Sequence, residues 1–296
     1  MTFSTPVKTL MKEYRLMSER RLMLCTDLDR TLIPNGEQSE NQQARLLFSQ
    51  FCARPEILLV YVSGRHLALI DDAIEQYELP VPDYAITDVG TKIYQRHLNK
   101  WQSLKSWEDH IDIDWQGKSA NDIQSLLPMH DKLALQEPEK QNTHKISYYV
   151  HSLQKPSALV AQIEEKLQQE NITATLIWSI DEQANIGLLD IVPVRSTKLH
   201  AIEFLRKQLD YRLNEIVFSG DSGNDLQVLE STLPSILVAN ATAEIKIIAA
   251  DKVKSEGHPD SLYIAEGGFK GMNGNYAAGI LEGVHHYHPG LVDSSN

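Results

Sequence analysis

The chain has 296 residues, 42% of them hydrophobic and 23% charged, the balance of a soluble globular protein of one large or two modest domains. Lys and Arg total 28 against 40 Asp and Glu, a net charge of −12, which argues against a nucleic-acid partner and requires any bound anion to meet a local positive site. Cys25 and Cys52 are the only cysteines and lack metal-ligand spacing, so no disulfide framework is expected and a reducing compartment fits.

Met1 to Arg21 is mixed polar and charged, without the apolar stretch of a signal peptide. No run approaches the ~20 apolar residues of a membrane span, so a cytoplasmic protein with no membrane partner is expected. The first predicted strand is Leu22–Thr26, ending at Asp27. A helix over Gln42–Phe51 follows, then a strand at Ile57–Val62 ending at Ser63, a helix over His66–Tyr77, and a strand at Tyr84–Thr87 ending at Asp88. Such apolar runs read as central strands of a parallel sheet, buried on both faces.

From about Leu98 to Leu188 the rhythm changes. This stretch holds all four tryptophans, an alternating segment Lys145–Val150, a predicted helix Ser157–Gln169 and a strand Thr173–Trp178. It reads as an inserted α+β unit, residues 98–188. The core then resumes near Leu189–Pro193, with a helix over Leu199–Leu209, a strand Ile216–Phe218 running into Ser219-Gly220-Asp221, a helix Asp225–Ser231 and a strand Ile236–Ala239 ending at Asn240. The tail after Pro289 is expected to be disordered. The fold class is therefore α/β: a doubly wound parallel-sheet core of Rossmann-like type, residues 1–97 plus 189–296, carrying an inserted cap.

In such folds ligands bind beyond the carboxyl ends of the strands, where Asp27, Ser63 and Asp221 all fall. Asp27 is the expected nucleophile, since a carboxylate can attack phosphorus and split hydrolysis into two easier steps. Attack of one anion on another needs a cation, and Mg2+ is expected, held by Asp27, Asp29 (through its carbonyl), Asp221 and Asp225. Asp29 is the expected general acid and base. Ser63, the Gly64 amide, Lys198 and Asn224 are expected at the phosphate, Lys198 as a point cation. Arg65, Asp88, Thr91, Asn142, Lys145 and Ser147 are further polar candidates. The histidines near the tail, His285, His286 and His288, lack carboxylate or cysteine partners and read as a surface helix end.

Asp27-Leu28-Asp29-Arg30-Thr31, Ser63-Gly64-Arg65, Lys198 and Gly220–Asp225 together resemble the four motifs of the haloacid-dehalogenase-like (HAD) phosphohydrolase superfamily. The insertion resembles the larger, type-two cap of its sugar-phosphate branch. Within that branch, Pro82-Asp83-Tyr84, Thr87–Tyr94, Gln141–Tyr148, Arg195–Lys198 and Ala277–Val284 are similar to sucrose-phosphatases. The resemblance covers roughly residues 21–287 and implies hydrolysis of sucrose 6-phosphate to sucrose and phosphate, with Arg65, Asp88, Thr91, Asn142, Lys145 and Ser147 in contact with the sugar. Arg30 departs from it, standing where a neutral residue is usual, and the cap is longer than the activity needs. A phosphatase of another glycosyl phosphate, such as mannosylfructose phosphate or glucosylglycerol phosphate, a phosphomutase, and a non-catalytic sugar-phosphate binder are the alternatives. The expected partners are a small sugar phosphate and, among proteins, a sucrose-phosphate synthase, with the chain itself a monomer.

Overall fold

Leu22–Thr26 (β1) is an unbroken apolar run because both its faces are covered, and all five residues are buried. The computed structural model of the protein describes residues 22–127, 133–181 and 184–292. After β1 come α1 (Ala44–Cys52), β2 (Ile57–Val62), α2 (Leu67–Tyr77) and β3 (Tyr84–Thr87), the alternation expected from the sequence. A hairpin of β4 (Lys92–His97) and β5 (Lys100–Ser103) follows. Its turn residues Leu98 and Asn99 both take positive φ, 47° and 61°, as a tight hairpin between twisted strands requires.

Next come α3 (Lys105–Asp112), α4 (Ala120–Leu126), β6 (Leu133–Leu135), β7 (Ile146–Val150), α5 (Ser157–Gln169), β8 (Ala174–Asp181) and β9 (Ile186–Pro193). The chain returns through α6 (Lys198–Gln208), β10 (Ile216–Gly220), α7 (Leu226–Leu229), β11 (Ser235–Leu237), α8 (Ala243–Ser255), β12 (Leu262–Ile264), α9 (Ala277–Tyr287) and α10 (Pro289–Val292).

The large sheet has eight strands in the order β12-β11-β10-β1-β2-β3-β4-β5. Strands β12 to β3 are parallel, and the β4–β5 hairpin extends the sheet antiparallel. Apolar clusters lie on both faces of this sheet. The strand order reverses at β1, whose neighbours are β10 on one side and β2 on the other, which makes its carboxyl end the topological switch point. A separate four-stranded sheet, β6-β7-β9-β8, packs its own core around Trp115, Ile163 and Leu189.

The sheets divide the chain differently from the expected cut at 98 and 188. Strand β5 belongs to the large sheet, and Trp107 of α3 is buried in the large core. Strand β9 pairs with β7 and β8, so Leu189–Pro193 belongs to the small sheet and not to the resumed core. The sheets change after Asp112 and after Pro193. Asp114 sits between these two crossings, 4% exposed, and accepts from the Arg195 backbone at 2.8 Å and from its guanidinium at 3.1 Å. A second correction concerns the tail. Residues 289–292 are helical, Val292 is buried, and the Arg54 guanidinium donates to the Leu291 carbonyl. The extension before residue 22 and the last four residues lie outside the described residues.

Candidate active site

Asp27 follows β1 directly, and its amide continues the ladder by donating to Ser219 O at 2.9 Å. Its carboxylate is 4% exposed. Lys198 opens α6, whose N-cap is Thr197, with the Thr197 side chain accepting from His200 N. From there the Lys198 ammonium, also buried, donates to Asp27 Oδ1 at 2.8 Å, Asp225 Oδ1 at 2.7 Å and Asn224 Oδ1 at 3.3 Å. The turn after β10 supplies Asp221 and Asp225. The second oxygen of Asp225 receives the Asp221 and Ser222 amides at 3.1 and 3.3 Å, which folds the turn around that carboxylate. Gly220 is required there, because a Cβ would lie 2.7 Å from Asp225 Cγ. Thr31 Oγ1 joins the two flanking acids, at 3.4 Å from Asp27 Oδ2 and 3.2 Å from Asp221 Oδ1.

Oxygens of Asp27, Asp221 and Asp225 lie within 4.8 Å of one another, all buried. Three carboxylates around one buried ammonium leave negative charge in excess. Burial pushes the Asp27 carboxyl up to about 8, with Asp225 and Asp221 adding to the rise against the pull of Lys198. Asp221 is pushed up to about 6 by burial and by Asp225, against Arg30 and Thr31. Asp221 Oδ2 is buried with no hydrogen-bond partner, and the nearest cation is Arg30, with Nε at 3.4 Å. An orphaned oxygen inside an over-acidic cluster fits a divalent cation. Both oxygens of Asp225 are engaged by N–H donors and both of Asp27 by Lys198 and Thr31, so Asp221 Oδ2 is the oxygen of the cluster left without a hydrogen-bond donor.

Asp29 is the expected site residue whose carboxylate stands apart from this cluster. Arg65 grips it with two bonds, Nε to Oδ2 at 2.8 Å and Nη2 to Oδ1 at 2.6 Å, and Asn35 Nδ2 adds a third at 2.7 Å. Burial would raise this carboxyl, but the Arg65 hydrogen bonds and charge outweigh it and hold Asp29 below the ordinary carboxylate range. The Arg65 guanidinium, expected at a sugar, is thus committed to Asp29 and to Leu69 O. Ser63 follows β2 directly, beside the end of β1, with its Oγ accepting from Arg65 N at 3.2 Å, while Gly64 is exposed.

A second group of expected residues joins the two sheets. Lys145 Nζ lies 3.6 Å from Asp88 Oδ1, and both side chains are buried. Burial raises the Asp88 carboxyl despite the pull of Lys145. Asn142 Nδ2 donates to Thr91 Oγ1 at 2.9 Å. Thr91 and Ser147 are both fully buried, and the Ser147 hydroxyl donates to Lys140 O at 3.2 Å. The polar atoms of both are taken up by protein partners in this structure. Asp88, Val89 and Gly90 take φ of 53°, 56° and 100° in succession, the middle one an unfavourable conformation for a β-branched residue. This turn packs against the start of α6, where a Cβ on Gly90 would meet the Thr197 carbonyl carbon at 2.7 Å, and Asp88 N donates to Arg65 O at 3.0 Å. It therefore touches both Lys198's helix and the arginine that holds Asp29.

Sequence reasoning missed Asn35, which shares Asp29 with Arg65, and Asn240, which binds the backbone beside it. Asn240 carried the same signal as Asp27 and Asp221, a polar residue where an apolar run stops.

The family model of sucrose-6F-phosphate phosphohydrolase matches residues 20–288. A Nitrosococcus oceani protein, described no further than a HAD-like hydrolase, is 49% identical over 92% of this chain and 73% of its own length. Sucrose-phosphatase 1 of Nicotiana tabacum is 27% identical over 93% of this chain, which spans only 61% of that relative. Mannosylfructose-phosphate phosphatase of Agrobacterium fabrum is 28% identical over 90% of this chain and 96% of its own. Among solved structures, the Synechocystis sp. PCC6803 sucrose-phosphatase in complex with sucrose and phosphate aligns with a TM-score of 0.69 and 26% identity, over 90% of this chain and 98% of that one. No helix among the described residues is long and apolar enough to cross a membrane. The buried Asp27–Lys198–Asp225 cluster at the switch point of this sheet, and the match along nearly the whole described chain, place the protein in the sucrose-6F-phosphate phosphohydrolase family, a family of phosphoric monoester hydrolases.

Proposed function

We propose that the protein is a magnesium-dependent phosphatase of a disaccharide phosphate, with sucrose 6-phosphate as the substrate. The observation that carries the chemistry is the buried contact of Lys198 with Asp27 and Asp225 beside the orphaned oxygen of Asp221. Asp27 attacks phosphorus, and the bond from phosphorus to the sugar oxygen breaks as the aspartyl-phosphate forms. Asp29 gives its proton to the departing oxygen, then takes one from the water that attacks the aspartyl-phosphate and frees Asp27 and inorganic phosphate. Lys198 balances the charge that gathers on the transferring group, and Ser63 with the Gly64 amide donates to its oxygens. Asp27 and Asp221 would hold the cation, with Asp225 holding Lys198 and the turn. A bound cation supplies the positive charge that lets one anion approach another. Asp29 can act as an acid only after Arg65 releases it, so substrate entry is coupled to breaking that pair.

Sucrose is supported as the leaving group by the family match and by the likeness to the Synechocystis enzyme. Lys145 and Asn142 reach the core from the small sheet, which supports the reading that they contact the leaving group. Mannosylfructose phosphate is the second reading, supported by the Agrobacterium relative of nearly the same length. Both readings have the enzyme act in the cytoplasm on a small soluble substrate. The test is phosphate release from sucrose 6-phosphate, mannosylfructose phosphate, glucosylglycerol phosphate and glucose 6-phosphate. A kcat/KM highest for sucrose 6-phosphate supports the first reading; a higher value for another substrate replaces it while leaving the chemistry in place. No phosphate from any of them, with or without Mg2+, overturns both.

A further inference from the structure

Asn240 follows β11, 4% exposed, and its carboxamide is used at both ends. Nδ2 donates to the Arg30 carbonyl at 2.6 Å and Oδ1 accepts from the Tyr276 amide at 2.9 Å. Neither partner is a glycine, yet both have positive φ, 60° at Arg30 and 51° at Tyr276. Backbone held in that region relaxes unless its surroundings fix it.

The two ends of this bridge are tied in other ways too. The Tyr276 hydroxyl donates to Gln38 O at 3.0 Å, and Asn273 and Asn275 both donate to Ser39 O, at 2.9 and 3.0 Å. The segment after the Asp27–Thr31 turn is thus fastened to the residues that open α9. Arg30 lies between Asp29, held by Arg65, and Thr31, whose hydroxyl joins Asp27 and Asp221. Turning the peptide that follows Arg30 would move both neighbours.

We propose that Asn240 is a positioning residue for phosphoryl transfer: its single amide locks the left-handed Arg30 and Tyr276 together and so sets where Asp29 and Thr31 present their side chains. The inference rests on the reading of Asp27 and Asp29 as the reacting groups, and its test has one arm that does not depend on activity. A carboxamide is suited to the task because it offers a donor and an acceptor on one short stem.

The variants are Asn240→Ala, which removes both bonds, and Asn240→Asp, which keeps the acceptor for Tyr276 and sets a second acceptor against Arg30 O. Hydrogen exchange is followed by mass spectrometry in peptides covering 28–35 and 273–278. Asn240→Ala should speed exchange in both segments, and Asn240→Asp in 28–35 alone. On sucrose 6-phosphate and p-nitrophenyl phosphate, kcat should fall about 10- to 100-fold with KM within about threefold, the signature of lost transition-state geometry. Unchanged exchange in 28–35 for both variants overturns the proposal whatever the activity. Faster exchange with kcat unaltered overturns the positioning role. If wild-type protein releases no phosphate from either compound, the functional reading fails, and with it the catalytic role of Asn240, while exchange alone decides the clamp. Should Asn240→Ala not fold, Asn240→Asp carries the same comparison.

Discussion

Lys198 Nζ sits 2.8 Å from Asp27 Oδ1 across 171 residues of sequence, and neither side chain is more than 5% exposed. Buried charges at this separation persist only because each has the other, and here one ammonium serves two acids.

Removing either partner should have different consequences. Lys198→Met leaves buried Asp27 and Asp225 without their shared cation and should cost about 3–5 kcal/mol in urea unfolding of the metal-free protein. Asp27→Asn removes a charge that its surroundings disfavour, so stability should hold while turnover falls by more than ~10³-fold. Phosphate release near the wild-type rate by Asp27→Asn would remove Asp27 as nucleophile.

The raised acids give the metal-free protein a pH dependence of defined sign. Asp27 and Asp221 are pushed from 3.8 to about 8 and about 6, so the folded state keeps protons that the unfolded chain gives up. Their contribution is complete at low pH, below the unfolded value, and is lost as pH rises through the two folded values. Thermal unfolding of metal-free protein should therefore show declining stability between roughly pH 4 and 8 from these groups. Added Mg2+ should raise Tm more at pH 8 than at pH 5; an equal rise at both would argue against metal binding to the deprotonated acids.

Arg65→Met frees Asp29 from the bond pair that lowers its pKa. The limb of kcat/KM on which the general acid loses its proton, the alkaline limb, should move to higher pH. An unmoved limb would mean that Asp29 is not the group titrating there.

Arg30 competes for the oxygen of Asp221 that a cation would take, with Nε at 3.4 Å and its own side chain 45% exposed. At that exposure the pair is worth no more than about 1 kcal/mol. Arg30→Ala should tighten Mg2+ binding, read by calorimetry on metal-free protein, by up to about fivefold. Weaker binding would place Arg30 as a support of the site instead of a rival for it.

Val89 at φ 56° holds a conformation that favours glycine. Val89→Gly should stabilise the fold by roughly 1 kcal/mol, a rise of about 2–4 °C in Tm. A fall in Tm would show that packing of the valine side chain outweighs its backbone.

The parallel strands were legible because a strand covered on both faces leaves an unbroken apolar run, as Ile57–Val62 does, and the site was legible because polar residues end those runs. What the run does not encode is which sheet it joins. Leu189 and Ile191 face the core of the small sheet, yet their sequence is indistinguishable from that of a strand of the large one. Lys100–Ser103 is polar and mostly exposed, so nothing in its composition announced an edge strand. The roles of Thr91, Ser147 and Asn240 depend on partners 51, 7 and 210 residues away, and such contacts leave no periodic trace.

Strand β9 runs from the small sheet into Lys198 with only Val194–Thr197 between, a link shortened by Ser196 bonding back to Pro193 O at 2.8 Å. There is little slack in it. The last strand of the small sheet and the residue whose ammonium faces Asp27 are therefore separated by four residues along the polypeptide, so the backbone that closes one sheet also sets where the buried cation of the other begins.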